Sequence, residues 1–246
     1  MLSKTRHDEG MADTSTARTP RERVRVEMTK EITEVARRHL AQSGPAALSL
    51  RAVARDVGMV SSAVYRYFPS RDDLLTTLII EAYDDLGGTV EQAEAAVRRR
   101  DRAGRWRAMC VTVRRWAIEH PHEYGLVYGT PVPGYAAPQR TIASAARVPN
   151  LMLTLLADMN IAGEDPGEGP DAVPVPRKVR AAISSASAAV DGVVSPDLMT
   201  RGLMAWTWLF GAVSFELFGH LVGSVDDPDV FFGHQLDRMA RILGLT

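Results

Sequence analysis

The stretch Leu48–Leu75, LSLRAVARDVGMVSSAVYRYFPSRDDLL, decides how this chain folds. Ser49 is placed to cap a helix, because its hydroxyl can accept from a backbone N–H one turn in. Leu50, Val53 and Val57 then recur at helical spacing on one face. Gly58 ends that helix, since a left-handed C-cap is least costly for glycine. A second helix is expected through Ser62-Ala63-Val64-Tyr65-Arg66-Tyr67. Phe68-Pro69 stops it, because the residue before proline is pushed out of the α region. Ser70 and Asp73 carry the Ser-x-x-Asp pattern that opens a longer helix. Helix, glycine turn, helix is an arrangement that sets a helix into the major groove of DNA.

The second helix has the composition of a reader. Ser61, Ser62 and Ala63 are small, and on an outward face they let the backbone sit deep in a groove. Tyr65, Arg66 and Tyr67 supply donors for phosphates or base edges. At these residues GMVSSAVYRYFPSRDDLL resembles the signature of TetR-type transcriptional repressors: a glycine turn, a Tyr-x-His-Phe-like run, and a basic residue opening helix 4. Tyr67 stands where that family often has His, and Arg71 where it often has Lys, and both keep a phosphate donor. Val60 stands where a Ser or Thr cap is usual, which makes Ser61 the alternative cap. Ser49, Val60, Ser61, Ser62, Ala63, Tyr65, Arg66, Tyr67 and Arg71 are expected to bind DNA.

Composition permits this reading. Hydrophobic residues make up 46% of the 246 and charged residues 24%, ordinary for a globular chain. A net charge of −1 taken alone argues against a nucleic-acid partner, but the charge is segregated. Residues 1–71 hold 13 Lys/Arg against 8 Asp/Glu, a local +5, and the remainder is acidic by 6. The single cysteine, Cys110, excludes an intramolecular disulfide. The first residues lack an apolar signal-peptide core, so a cytoplasmic protein is expected. Leu203–Gly223 is long enough to span a bilayer, but Glu216 and His220 make a buried interface helix the better reading.

An all-α protein in three parts is expected: a disordered tail over 1–18, a three-helix helix-turn-helix head over 19–70, and a larger helical ligand-binding and dimerisation domain over 71–246. Thr19-Pro20-Arg21-Glu22 starts the head's first helix, and Ser43-Gly44-Pro45 ends it. The head packs around Ile32, Leu40, Val53, Val64 and Phe68. Gly87-Gly88 either bends or breaks helix 4. A helix follows over 103–120, an ordered Pro/Gly loop over 129–138, and helices over 140–159 and 177–190, with a disordered loop at 163–176 between the last two. HPHEYGLVYGTPVPGYAAP, and the stretch from Trp206 to His220, resemble the C-terminal domain of many actinobacterial TetR-type regulators.

Ser195-Pro196-Asp197 opens the most apolar helix, which carries two stripes side by side. A helix apolar on two faces must bury both, and one of them needs a partner. Asp227-Pro228 opens the last helix, with a single apolar stripe. Trp206, Ala212, Phe215 and Gly219 of the first, with Phe232, Leu236 and Met239 of the second, are expected at a two-fold dimer interface.

Catalysis finds no support in the residues. There is no phosphate loop, cysteine pair, nucleophile elbow or defensible triad, and His120-Pro121-His122-Glu123 does not set three metal ligands on one helix face. No cofactor, metal or catalytic residue is expected. An apolar pocket is expected from Trp106, Cys110, Trp116, Tyr124, Tyr128, Met152, Leu155 and Trp208. The reading is therefore a homodimeric repressor on a double-stranded, palindromic DNA operator, released by a small apolar effector, with no membrane partner. The alternative is an all-α carrier or enzyme with a vestigial helix-turn-helix.

Overall fold

The computed structural model describes residues 19–163, 174–189 and 191–245, and these form twelve α-helices and two 3-10 turns with no strand. The expected tail over 1–18 and most of the loop at 163–176 lie outside the described residues. Helix α1 (Pro20–Ser43) opens on a capping box: the Thr19 hydroxyl accepts from the Glu22 amide, and the Glu22 carboxylate accepts from the Thr19 amide at 2.7 Å. A 3-10 turn at Pro45–Ala47 leads to α2 (Leu50–Val57), capped by the Ser49 hydroxyl and closed by Gly58 at φ 81°. Then α3 (Ser61–Val64) makes a single turn.

This is shorter than the sequence suggests. Beyond Val64 the chain tightens, with the Arg66 amide bonded to the Ala63 carbonyl and the Tyr67 amide to the Val64 carbonyl. The Phe68 amide also reaches the Val64 carbonyl, and Pro69 bars the α region at Phe68, so the helix stops there instead of extending. Ser61 does not cap: Val60 occupies the cap position, with no side-chain hydrogen bond.

Helix α4 (Arg71–Ala95) starts where the Ser70 hydroxyl accepts from the Asp73 amide, and it runs unbroken through Gly87-Gly88. The glycine pair does not break it. Ile32, Leu40, Val53, Val64 and Phe68 are buried together as expected, but this core does not stop at residue 70. Leu74, Leu75, Leu78 and Ile79 of α4 close it, and Leu126 and Val132 enter it from farther along the chain.

The body follows with α5 (Arg102–Glu119) and α6 (Pro121–Tyr128), the loop to Pro138, and a second 3-10 turn at Gln139–Thr141. The helix expected from residue 140 is divided into α7 (Ile142–Ala145) and α8 (Arg147–Ile161). Pro149 falls in the first turn of α8, where its missing N–H needs no intrahelical partner. The helix expected over 177–190 is two short ones, α9 (Arg177–Ala182) and α10 (Ser184–Ala188), with Ile183 between them. Helix α11 (Pro196–Leu217) is capped by Ser195, and α12 (Pro228–Leu243) by Asp227. The body's own core gathers α4, α5, α6, α8, α11 and α12 around Leu86, Val90, Val113, Met159, Leu198 and Leu209.

Candidate nucleic-acid interface and apolar cavity

At the tip of the head, Val60 is 72% exposed, and Ser61, Ser62, Tyr65 and Arg66 are also exposed. Ala63 is not: at 8% exposure it packs inward with Val64, so only the two serines leave the groove side uncrowded. The reason is the period of a single helical turn, which puts two of four residues on the core. Tyr67 is half-buried beneath the guanidinium of Arg25, which lies 5.8 Å from its ring centre and donates to the Arg66 carbonyl. Arg25 is thus a cation beside the reader that the sequence reading missed; the signal was the Arg21, Arg23, Arg25 run on α1.

Two expected contacts are engaged within the chain. The Ser49 hydroxyl accepts from the Ala52 amide. Arg71 donates to the carbonyls of Leu48 and Pro45, at 3.1 and 2.7 Å, and of Ala46. A guanidinium held this way ties the head to the start of α4. Asp73 beside it is held below the usual carboxylate range, first by the Ser70 hydroxyl and then by Arg140.

The residues expected to line a pocket are mostly core. Trp106, Cys110, Trp116, Tyr124 and Leu155 are essentially buried. Their polar atoms are satisfied from within: Trp116 donates to Asp85 at 2.7 Å, and Trp106 to the Leu236 carbonyl. The Tyr124 hydroxyl bonds the Phe210 carbonyl and lies 2.9 Å from the Ser214 hydroxyl, and burial pushes its pKa up to about 12. Burial likewise pushes the Cys110 thiol well above its ordinary range. Tyr128 is half-buried with its ring 4.2 Å from that of Phe210, and burial raises its pKa too. Large aromatic side chains fill space before they line it, and with this many in one body the core claims them.

A cavity does exist, one layer away. It lies between α8, α10 and α11, with a volume of about 230 Å³. Pro149, Met152, Leu153, Leu156, Ala186, Met199, Gly202, Leu203 and Trp206 form its wall, with no ionisable group among them. Of the expected lining only Met152 is present, and Trp206, expected at an interface, faces this cavity.

The interface set divides in the same way. Phe232, Leu236 and Met239 are buried inside the subunit, because they form the stripe that α12 packs on its own body. Gly219 lies past the end of α11, in a turn at φ 77°. What remains outward is a shallow apolar surface of α11 and α12: Trp208, Gly211, Ala212, Phe215, Leu221 and Phe231, with Phe215 55% and Phe231 37% exposed.

His120 stacks on Trp116 with its Nδ1 3.0 Å from that residue's carbonyl, which gives the imidazole a structural place. Among the described residues no group of three or more His, Cys, Asp or Glu is set to hold a metal. No described helix is long and apolar enough to cross a membrane.

A small helix-turn-helix head with an exposed serine, tyrosine and arginine tip, joined by one long helix to a larger helical body, defines a DNA-binding regulator of transcription. The chain belongs to the TetR family of bacterial regulators. Residues 32–78 match the family described as bacterial regulatory proteins, tetR family, and residues 106–239 match the tetracyclin repressor-like C-terminal domain. The HTH-type transcriptional regulator Rv1816 of Mycobacterium tuberculosis is 38% identical over 231 residues, spanning 89% of this chain and 93% of its own. Mb1846 of Mycobacterium bovis, an HTH-type transcriptional regulator also, matches to the same extent. Among solved structures, the regulatory protein SCO4313 superposes with a TM-score of 0.72 at 33% identity, over 90% of this chain and 98% of that one. A Rhodococcus protein at 19% identity shares the fold, with a TM-score of 0.65 over 94% of this chain and 98% of that one.

Proposed function

We propose that this regulator is a homodimeric repressor, released from a palindromic operator by a small, uncharged, apolar molecule. The observation that carries the reading is the cavity between α8, α10 and α11. It is lined by apolar side chains and sits in the body, away from the exposed head. A site with no ionisable group cannot compensate a buried charge, so its occupant is neutral. The exposed face around Phe215 and Phe231 supports a second copy as its cover, since a soluble monomer gains by burying such a patch. Two heads then stand roughly 34–36 Å apart, one turn of DNA. Effector binding favours a spacing that does not fit.

Selection of duplexes from a random pool by the purified protein tests this directly. An inverted repeat is expected, with half-sites one turn apart. On that duplex at fixed salt, Arg66→Ala should weaken binding by about 1–3 kcal/mol with helicity intact. Phe215→Glu should sediment as a monomer and lose the two-half-site complex. In vitro transcription from a promoter carrying the repeat should fall as protein is added. A selected pool without symmetry overturns the dimer on DNA, and a Phe215→Glu protein that stays dimeric places the interface elsewhere; a rise in transcript identifies an activator.

A further inference from the structure

The glycine pair of α4 admits one side chain. A Cβ at Gly87 would stand 2.8 Å from Arg147 Cβ and 2.9 Å from its Cδ and Nε; one at Gly88 would touch the guanidinium at 3.5 Å. Each glycine costs a helix roughly 1 kcal/mol against alanine, and here the pair opens a notch in which the stem of Arg147 lies. From that notch the guanidinium grips α4 on both sides. It donates to Glu91 through Nε at 2.8 Å and Nη2 at 2.5 Å, and through Nη1 to the Asp84 carbonyl at 2.8 Å and its carboxylate at 3.2 Å. This is a forked, planar grip that lysine cannot copy.

Arg147 is the first residue of α8, and the same helix supplies Pro149, Met152, Leu153 and Leu156 to the apolar cavity. At the other end of α4, Arg71 holds three carbonyls of the head. From Gly87 to Arg71 is about 24 Å of continuous helix at 1.5 Å per residue, so a tilt of about 10° at the notch displaces the head end by about 4 Å.

We propose that Arg147, seated in the Gly87-Gly88 notch, is the coupling residue that makes α4 follow α8, so that the state of the cavity is felt at the DNA-reading head. The inference rests on the reading of the cavity as an effector site. Arg147 touches neither the cavity nor the exposed tip, so its removal spares both binding events and abolishes the exchange between them. Linkage makes this measurable from either side, because whatever the effector does to DNA affinity, DNA does to effector affinity by the same factor.

The probe is the uncharged naphthalene dye prodan, followed by its own emission, with a duplex selected from a random pool as the DNA. The full-length wild-type protein should bind prodan, and saturating duplex should weaken that binding by ~5–150-fold. In Arg147→Met the factor should fall to within about 2-fold of unity, while prodan alone and duplex alone each bind within about 3-fold of wild type. Arg147→Met with the wild-type factor overturns the inference and leaves the effector site standing. A wild-type protein that does not bind prodan, or binds it with a factor of one, overturns the effector reading and this inference with it. If Arg147→Met does not fold, Gly87→Ala decides, since it crowds the stem out of the notch and keeps the guanidinium: a wild-type factor there overturns the proposal.

Discussion

The two halves of α4 are held by different physics. Arg71 to Tyr83 is set in the head by Leu74, Leu75, Leu78 and Ile79, all buried in one apolar cluster with α1, α2 and residues about α3. Asp84 to Ala95 also buries Leu86 and Val90, and its ion pairs reach deeper than the partly exposed Arg37–Glu81 and Arg140–Asp73 pairs of the head half. Arg147 spans Asp84 and Glu91, Asp85 accepts from Trp116, and Glu94 is bonded at 2.5 Å by Arg105, which also reaches Asp158. Apolar burial is strong but non-directional, and it tolerates small sliding. Ion pairs in a buried site contribute little net stability, yet they are costly to leave half-made, so they select one register. The head end of α4 is therefore the stable half, and the body end is the specified one.

The sharpest way to break this contrast is at Arg105, whose side chain is 1% exposed. Arg105→Leu leaves the buried Glu94 without its cation, while Asp158 keeps Arg99, and a loss of about 3–5 kcal/mol is expected in urea denaturation. A loss below about 1 kcal/mol would show that water reaches the pair and that the body end is not specified by charge. Leu75→Ala, at a site with no exposure, should cost about 3 kcal/mol by removing apolar contact and leaving a cavity. It should leave duplex affinity unchanged wherever the protein remains folded, which gel shifts below the denaturation midpoint would check.

Tyr135→Phe is a milder probe of the head end. The Tyr135 hydroxyl lies 2.8 Å from that of Thr76, which keeps a bond to the Asp72 carbonyl when the tyrosine hydroxyl is gone. Nothing is orphaned, so about 0.5–1 kcal/mol is expected by thermal melting. The smallest effect is on pH. The Arg147 guanidinium holds Glu91 below its ordinary 4.5. A depressed carboxylate contributes stability that is complete above the unfolded value and lost as pH falls through the folded one. Glu91 is 39% exposed, so screening keeps the term under about 1 kcal/mol. The stability gap between wild type and Arg147→Met should therefore narrow on going below pH 4.5; a gap that widens would remove Glu91 from the grip.

What the sequence makes legible here is local. Thr19, Ser49, Ser70, Ser195 and Asp227 each cap a helix as their spacing indicates, because a cap is a contact spanning three residues. The head core is legible for a related reason: its helices are short and each has one apolar face. The body is less so. Helix α11 is apolar nearly all round, and the residues it buries, Leu198, Met199, Gly202, Ala205, Leu209 and Val213, take members from both of the stripes that its period suggests. Helix α12 has one clear stripe, but whether Leu236 meets its own body or a second copy is a long-range fact that no spacing encodes. Gly87-Gly88 is visible as an anomaly, yet its occupant comes from a helix that begins 56 residues beyond Glu91. The exposed tip is legible in type, and Ala63 shows the limit: a single turn has too few residues to show its phase.

The chain's four tryptophans, Trp106, Trp116, Trp206 and Trp208, all stand on α5 and α11. The head has tyrosines and one phenylalanine but no tryptophan. Indole emission is therefore a one-sided gauge of this molecule: excited at the red edge, it reports on the body and is silent on the reader. A head that melts first would leave that signal flat while far-ultraviolet dichroism falls, and the offset between the two curves would give the stability of the reading half by itself.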